Sequence, residues 1–290
     1  LRALHQTGAA LNGKGKEGDT PAHVAACKGQ TKCIVVLHEC GAALNEQDKW
    51  GQTPVHTATQ EGHEETLRAC YQTDAKLNAK NSRGDTPVHF AAKNNYVACI
   101  IALHQMGADL NAQNKDGYTP AHTAAIYGQE AALDTLHLVG ADLSKKSKEN
   151  ATPAHLAAQE GHEKCIMALH RAHVALDTQI SGGFTPAHMA AGVGHPQCFD
   201  ALSKAGVDFN KQDEVGHAPI HIAARGGKEK CITALAKAGA NLNIQNNGGE
   251  APIHIAVLNG HVACIQALSE AGANLNKQDD KGYTPAHRAV

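Results

Sequence analysis

Aromatic side chains are scarce in this chain: one Trp, five Tyr and four Phe, or 3% of 290 residues. Small residues must therefore do much of the packing, which points to closely stacked helices. No sign of charge dominates, with 26 basic against 28 acidic side chains and a net charge of -2. That balance gives no global field for drawing in nucleic acid or anionic lipid. No apolar run approaches membrane-spanning length, so no membrane insertion is expected, and the first residues do not read as a signal peptide. The glycine-rich phosphate loop, the nucleophile elbow and the HExxH pair are all missing, so neither catalysis nor a cofactor is expected. What is present, 42% hydrophobic and 19% charged residues, fits an ordered protein.

The dominant feature is self-similarity at a fixed period. A four-residue motif stands at Thr20–His23, Thr53–His56, Thr86–His89, Thr119–His122, Thr152–His155 and Thr185–His188. It recurs as Ala218–His221, Ala251–His254 and Thr284–His287, and every step is 33 residues. In the unit that starts at Thr119, the threonine is a helix cap and Pro120 suits the first helical position, where a missing N–H costs nothing. Ala121, Ala124 and Ala125 give a short helix with small faces, and Gly128 ends it. The spacing of Ala132, Leu133, Leu136 and Val139 predicts a second helix over roughly Glu130–Leu138, stopped by Gly140. Ala141–Leu143 then leads into a polar turn around Ser144–Asn150. Helices this short are marginal alone in water, so each must bury its apolar face on its neighbours.

The motif T-P-x-H-x-A, followed by G-H or G-Q and then by G-A-D/N-L-N, resembles the ankyrin repeat over essentially the whole chain. The resemblance implies an all-α repeat solenoid, with stacked helix-turn-helix units and β-turn or hairpin tips. In this register residues 1–14 form a partial repeat, 15–278 eight full repeats, and 279–290 a second partial repeat. Both ends fall inside a unit, so the chain is expected to be part of a longer protein.

Four sites depart from the glycine pattern. Asp74 and His173 stand where glycine ends the second helix, Asn95 where it ends the first, and Asn150 in the turn. These residue types best tolerate a positive φ, so the fold is expected to continue through all four. Ala218 and Ala251 replace the capping threonine, at a cost of about 0.5–2 kcal/mol each. Ile220, Ile222, Ile253 and Ile255 supply larger core side chains in the same region.

The histidines and cysteines fall into columns. The resemblance implies a structural hydrogen-bonding role for the nine motif histidines. Cys33, Cys99, Cys165, Cys198, Cys231 and Cys264 share one position early in the second helix. Neighbours in that column should lie about 10 Å apart, a helix diameter, too far for a disulfide. They read as small buried hydrophobes. His162, Cys165, His170 and His173 match no zinc signature, and no metal is assigned to them. His104, His137 and His170 read as a partly exposed column. Nine cysteines without a paired framework favour a reducing, intracellular setting, and a cytoplasmic one is expected. Lys145, Lys146 and Lys148 read as a solvated loop, with an acidic-partner contact as the alternative. The exit-loop asparagines Asn12, Asn45, Asn78, Asn111, Asn210, Asn243 and Asn276 are similar to the residue hydroxylated in some eukaryotic ankyrin proteins, although Ser144 and Asp177 interrupt the series.

Framework positions are nearly constant, so the variable ones carry the information. The resemblance implies binding along turn tips and the exposed face of the first helix. Trp50 and Arg83 precede the turn glycine, Tyr118 and Phe184 follow it, and Ile126 and Tyr127 continue the same surface on a first helix. These six form the expected partner-binding footprint, since Trp, Tyr and Arg are the usual interface anchors. The alternative is that some of them pack on neighbouring turns. The function expected is a protein–protein interaction scaffold, acting as a monomeric array with another protein as its partner and with no nucleic acid. A regulatory or targeting segment of a larger enzyme, channel or secreted effector is the alternative.

Overall fold

The computed structural model describes residues 1–289. Its helices fall in two compact units, residues 1–148 and 149–290. Among the described residues there are 17 α-helices and two short 3-10 turns, with no strand.

The first unit opens with α1 (Arg2–Gln6) and continues as four helix pairs. These are α2 (Pro21–Cys27) with α3 (Thr31–Glu39), α4 (Pro54–Gln60) with α5 (Glu64–Gln72), α6 (Pro87–Lys93) with α7 (Val97–Gln105), and α8 (Pro120–Ile126) with α9 (Glu130–Leu138). The second unit holds α10 (Pro153–Gln159) with α11 (Glu163–Arg171), α12 (Pro186–Val193) with α13 (Gln197–Lys204), α14 (Pro219–Arg225) with α15 (Glu229–Lys237), and α16 (Pro252–Leu258) with α17 (Val262–Glu270). The predicted second helix at Glu130–Leu138 is the one observed.

Each first helix starts the same way. Thr53 caps α4 with extended backbone, Pro54 takes the first helical position, and His56 reaches back to the cap. His56 Nδ1 accepts the Thr53 N–H at 3.1 Å and lies 2.9 Å from the Thr53 hydroxyl. This is a capping box with histidine in the place of the usual Glu or Gln. The other ring nitrogen, Nε2, donates to the Asp85 carbonyl of the following turn at 3.1 Å. A backbone N–H can only donate and a carbonyl can only accept, so these partners fix the neutral Nε2–H tautomer. The motif histidine thus caps its own helix and ties it to the next repeat. Where alanine replaces the cap, the backbone half survives: the Ala218 and Ala251 N–H groups still donate to His221 and His254 at 3.0 and 3.2 Å. Only the hydroxyl contact is lost.

Within each unit, successive first helices pack on one another, and so do successive second helices. Alanine makes the close approach of the first helices feasible: Ala91, Ala92, Ala124, Ala125, Ala190, Ala191, Ala223 and Ala224 are fully buried. The bulk comes from the second helices, through Leu67, Ile100, Leu103, Leu133 and Leu136 in the first unit and Ile166, Leu169, Phe199 and Leu202 in the second. Ile220, Ile222, Ile253 and Ile255 are buried as expected.

The four substituted glycine sites keep the left-handed backbone. Asp74, Asn95, Asn150 and His173 have φ of 59°, 59°, 63° and 57°, and they are the only non-glycine residues with positive φ among those described. Asn95 adds a contact that glycine cannot make, since its side-chain oxygen accepts the Ala132 N–H at 2.9 Å.

Of the cysteine column, Cys99, Cys165, Cys198, Cys231 and Cys264 are buried and Cys33 is half-buried. Burial pushes the Cys99 and Cys231 thiols up to about 11 and the Cys198 thiol up to about 12. Such groups behave as packing atoms rather than nucleophiles. The exposed thiol outside the column is Cys27.

Candidate partner-binding surface

The surface is set by the turn tips. In the tip that carries Trp50, the Asp48 side-chain oxygen accepts the N–H groups of Trp50 and Gln52 at 2.9 and 2.8 Å. Asn81 does the same for Arg83 and Asp85, both at 2.9 Å, and Asn114 for Asp116 and Tyr118 at 3.0 and 2.9 Å. These side chains mimic backbone turns and stiffen the loops. Gly51 is needed for steric reasons too: its φ is +75°, and a Cβ there would lie 2.6 Å from the Ser82 nitrogen. The closeness reflects a backbone bond between tips, Ser82 N–H to the Trp50 carbonyl at 2.9 Å. The same link joins Lys115 to Arg83 at 3.0 Å and Lys49 to Glu17 at 3.0 Å. Gln47 adds a side-chain bridge, donating to the Gly51 carbonyl at 2.9 Å and to the Lys80 carbonyl at 3.1 Å.

Behind the tips, first helices α4, α6 and α8 complete a concavity of about 450 Å³ in the first unit. Trp50, Arg83, Tyr118, Ile126 and Tyr127 all line it, so the structure brings five of the six sequence-predicted residues together. Trp50 and Tyr127 are about half exposed, at 50% and 46%. Arg83 is exposed, whereas Tyr118 and Ile126 are half-buried. The Tyr118 ring stacks on His122 with centroids 5.5 Å apart. Phe184, the sixth, lies in the second unit, where its ring meets His188 edge-on at 5.8 Å.

The lining residues that sequence reasoning missed include Phe90 and Lys93. Phe90 meets the motif His56 edge-on at 5.6 Å. The Lys93 ammonium sits 4.9 Å from the Tyr127 ring centroid, a cation–π contact. A signal was available: Lys93 occupies the register of Ile126, and Phe90 that of Thr123, one period of 33 earlier.

A second overlooked set is the histidine that follows the first-helix glycine. His63 donates from Nε2 to the Cys27 carbonyl at 3.0 Å, and His261 to the Arg225 carbonyl at 3.0 Å. Each satisfies an orphan carbonyl at the end of the preceding repeat's first helix. The exit-loop asparagines are structural in the same way: Asn45 accepts the Lys76 N–H at 2.8 Å and Asn78 the Asp109 N–H at 2.9 Å. His104 and His137 are exposed and His170 is half-buried. Lys146 and Lys148 are exposed and Lys145 is half-buried.

A family model described as ankyrin repeats (3 copies) matches residues 1–81, 69–147, 132–213 and 220–290. The chain belongs to the ankyrin-repeat family. No curated protein matches it. Proteins built of ankyrin repeats generally mediate protein–protein interaction. The motif histidines His56, His89 and His188 of these ankyrin units have both ring nitrogens committed to neighbours. Burial holds His56 down to about 4 and lowers His89 and His188. Neutral and doubly bonded, they serve as structural links rather than proton-transfer groups. Among the described residues no helix is long and apolar enough to cross a membrane.

Proposed function

We propose that this ankyrin array holds a partner protein and that the concavity of the first unit is where the partner docks. The observation that carries the reading is the convergence of Trp50, Arg83, Tyr118, Ile126 and Tyr127 on one concavity in a chain with a single Trp and five Tyr. Such side chains supply large contact areas with few rotatable bonds. The tips that present them are already fixed by side-chain and inter-repeat hydrogen bonds, so binding costs little ordering entropy.

The test is affinity capture from the source lysate with the intact chain and with a Trp50→Ala, Tyr118→Ala, Tyr127→Ala variant matched for stability. Removing three anchors is expected to weaken a specific partner by about 100-fold or more, which empties the captured band. A partner retained equally by both proteins would move the docking surface elsewhere on the chain.

A further inference from the structure

Cations outnumber carboxylates along the lining of the concavity. The charged residues that line it are Arg83, Asp85 and Lys93. Asp85 keeps its charge, since its side-chain oxygen accepts from the neutral Asn114 amide at 2.8 Å, and that bond ties it to the neighbouring tip. At the rim, Glu17 is paired with Lys49, and the same ammonium lies 4.4 Å from the Trp50 ring centroid. Arg83 and Lys93 have no carboxylate partner among the described residues, and Lys93 rests only on the Tyr127 ring. Two exposed cations therefore stand beside aromatic surface, neither of them in an ion pair among the described residues.

Much of the tip backbone on this surface is already paired. The Trp50 and Arg83 carbonyls and the Ser82 and Lys115 N–H groups are spent on links between neighbouring tips, and the Trp50 and Arg83 N–H groups on Asp48 and Asn81. That leaves few tip backbone groups for strand addition, and side-chain chemistry does most of the work.

From this we infer that the occupant is an acidic segment of a partner protein, whose carboxylates meet Arg83 and Lys93 while an apolar side chain rests on Trp50 and Tyr127. The inference depends on the concavity being the docking surface proposed above. Single-stranded nucleic acid also combines negative charge with stacking, but it needs a run of cations along its phosphates. Here two cations stand beside Asp85, in a chain of net charge -2.

The test is selection of a random dodecapeptide display library on the whole chain at low salt. It is repeated on R83E/K93E and on W50A/Y127A, each checked for intact helicity, with a labelled oligothymidylate assayed alongside. Enriched sequences are expected to be acidic with one or two apolar residues, to bind R83E/K93E at least about tenfold more weakly, and to weaken as salt is raised. The R83E/K93E selection should turn instead to basic sequences. Neutral or basic peptides that need Trp50 and Tyr127 would overturn the acidic assignment while leaving the docking surface in place. Peptides indifferent to W50A/Y127A, or no enrichment, would overturn the docking surface and this inference with it. Oligothymidylate bound through the same residues in preference to peptide would also overturn the inference.

Discussion

Replacing His56 with alanine is expected to lower the unfolding free energy of the first unit by about 3–5 kcal/mol. His56 is fully buried and joins three groups: the Thr53 N–H, the Thr53 hydroxyl and the Asp85 carbonyl. Its removal leaves a buried backbone donor and acceptor unpaired, at about 1–3 kcal/mol each, and opens a cavity in a close-packed helix stack. His104 provides the control, being exposed on a second helix. His104→Ala is expected to change stability by no more than about 0.5 kcal/mol. Urea unfolding followed by circular dichroism measures both. Equal effects at the two sites would remove the structural role given to the motif histidine. The loss at His56 also reaches the candidate site, because Asp85 belongs to the tip that carries Arg83.

The second large effect is acid sensitivity. Burial holds His56 and His221 down to about 4, against an ordinary value near 6.5. Above about pH 7.5 both rings are neutral in the folded and unfolded chain, and stability does not depend on them. As pH falls from there towards 4, the unfolded chain takes up protons that the folded chain refuses, so stability falls. Below about 4 the folded rings protonate as well and the loss levels off. Each histidine contributes a loss of about 3 kcal/mol across the window. His56 acts on the first unit and His221 on the second, and the lowered His89 and His188 add in the same direction. Most carboxylates protonate near or below the bottom of this window, so the histidine effect comes first. Denaturant titrations down to pH 4.5 should show a plateau above about pH 7.5 and then a steady decline. Stability that is flat down to pH 4.5 would mean that the folded rings protonate as readily as the unfolded ones, contradicting the acceptor role given to Nδ1.

Much of the fold is legible because the period repeats the same local signals. Threonine, proline and histidine mark each first helix, and the residues standing in for glycine at 74, 95, 150 and 173 are those that tolerate positive φ. The second helix of the repeat beginning at Thr119 is readable to the residue from its apolar spacing. The links that turn repeats into a stack are less visible. His63 to Cys27, Gln47 to Lys80 and Asn45 to Lys76 join residues 31 to 36 positions apart, and no single repeat contains both partners. Comparing adjacent repeats column by column is what exposes them.

The same holds for the candidate site. Trp50, Arg83 and Tyr118 stand out because they are large side chains at turn positions. Lys93 looks ordinary until its register with Ile126 is noticed, and its contact with the Tyr127 ring is a matter of three-dimensional placement. Phe184 occupies the same register as Tyr118. Shared register identifies equivalent positions without saying which of them line one concavity, and Phe184 is found against His188 in the second unit.

Amide hydrogen exchange on the chain with and without a saturating amount of captured partner tests the docking surface most directly. Slowed exchange confined to the tips at 48–52, 81–85 and 114–118 and to the ends of α6 and α8 is the result predicted. Protection confined to second helices α5, α7 and α9, or to the second unit alone, would contradict a partner seated on Trp50, Arg83, Tyr118 and Tyr127.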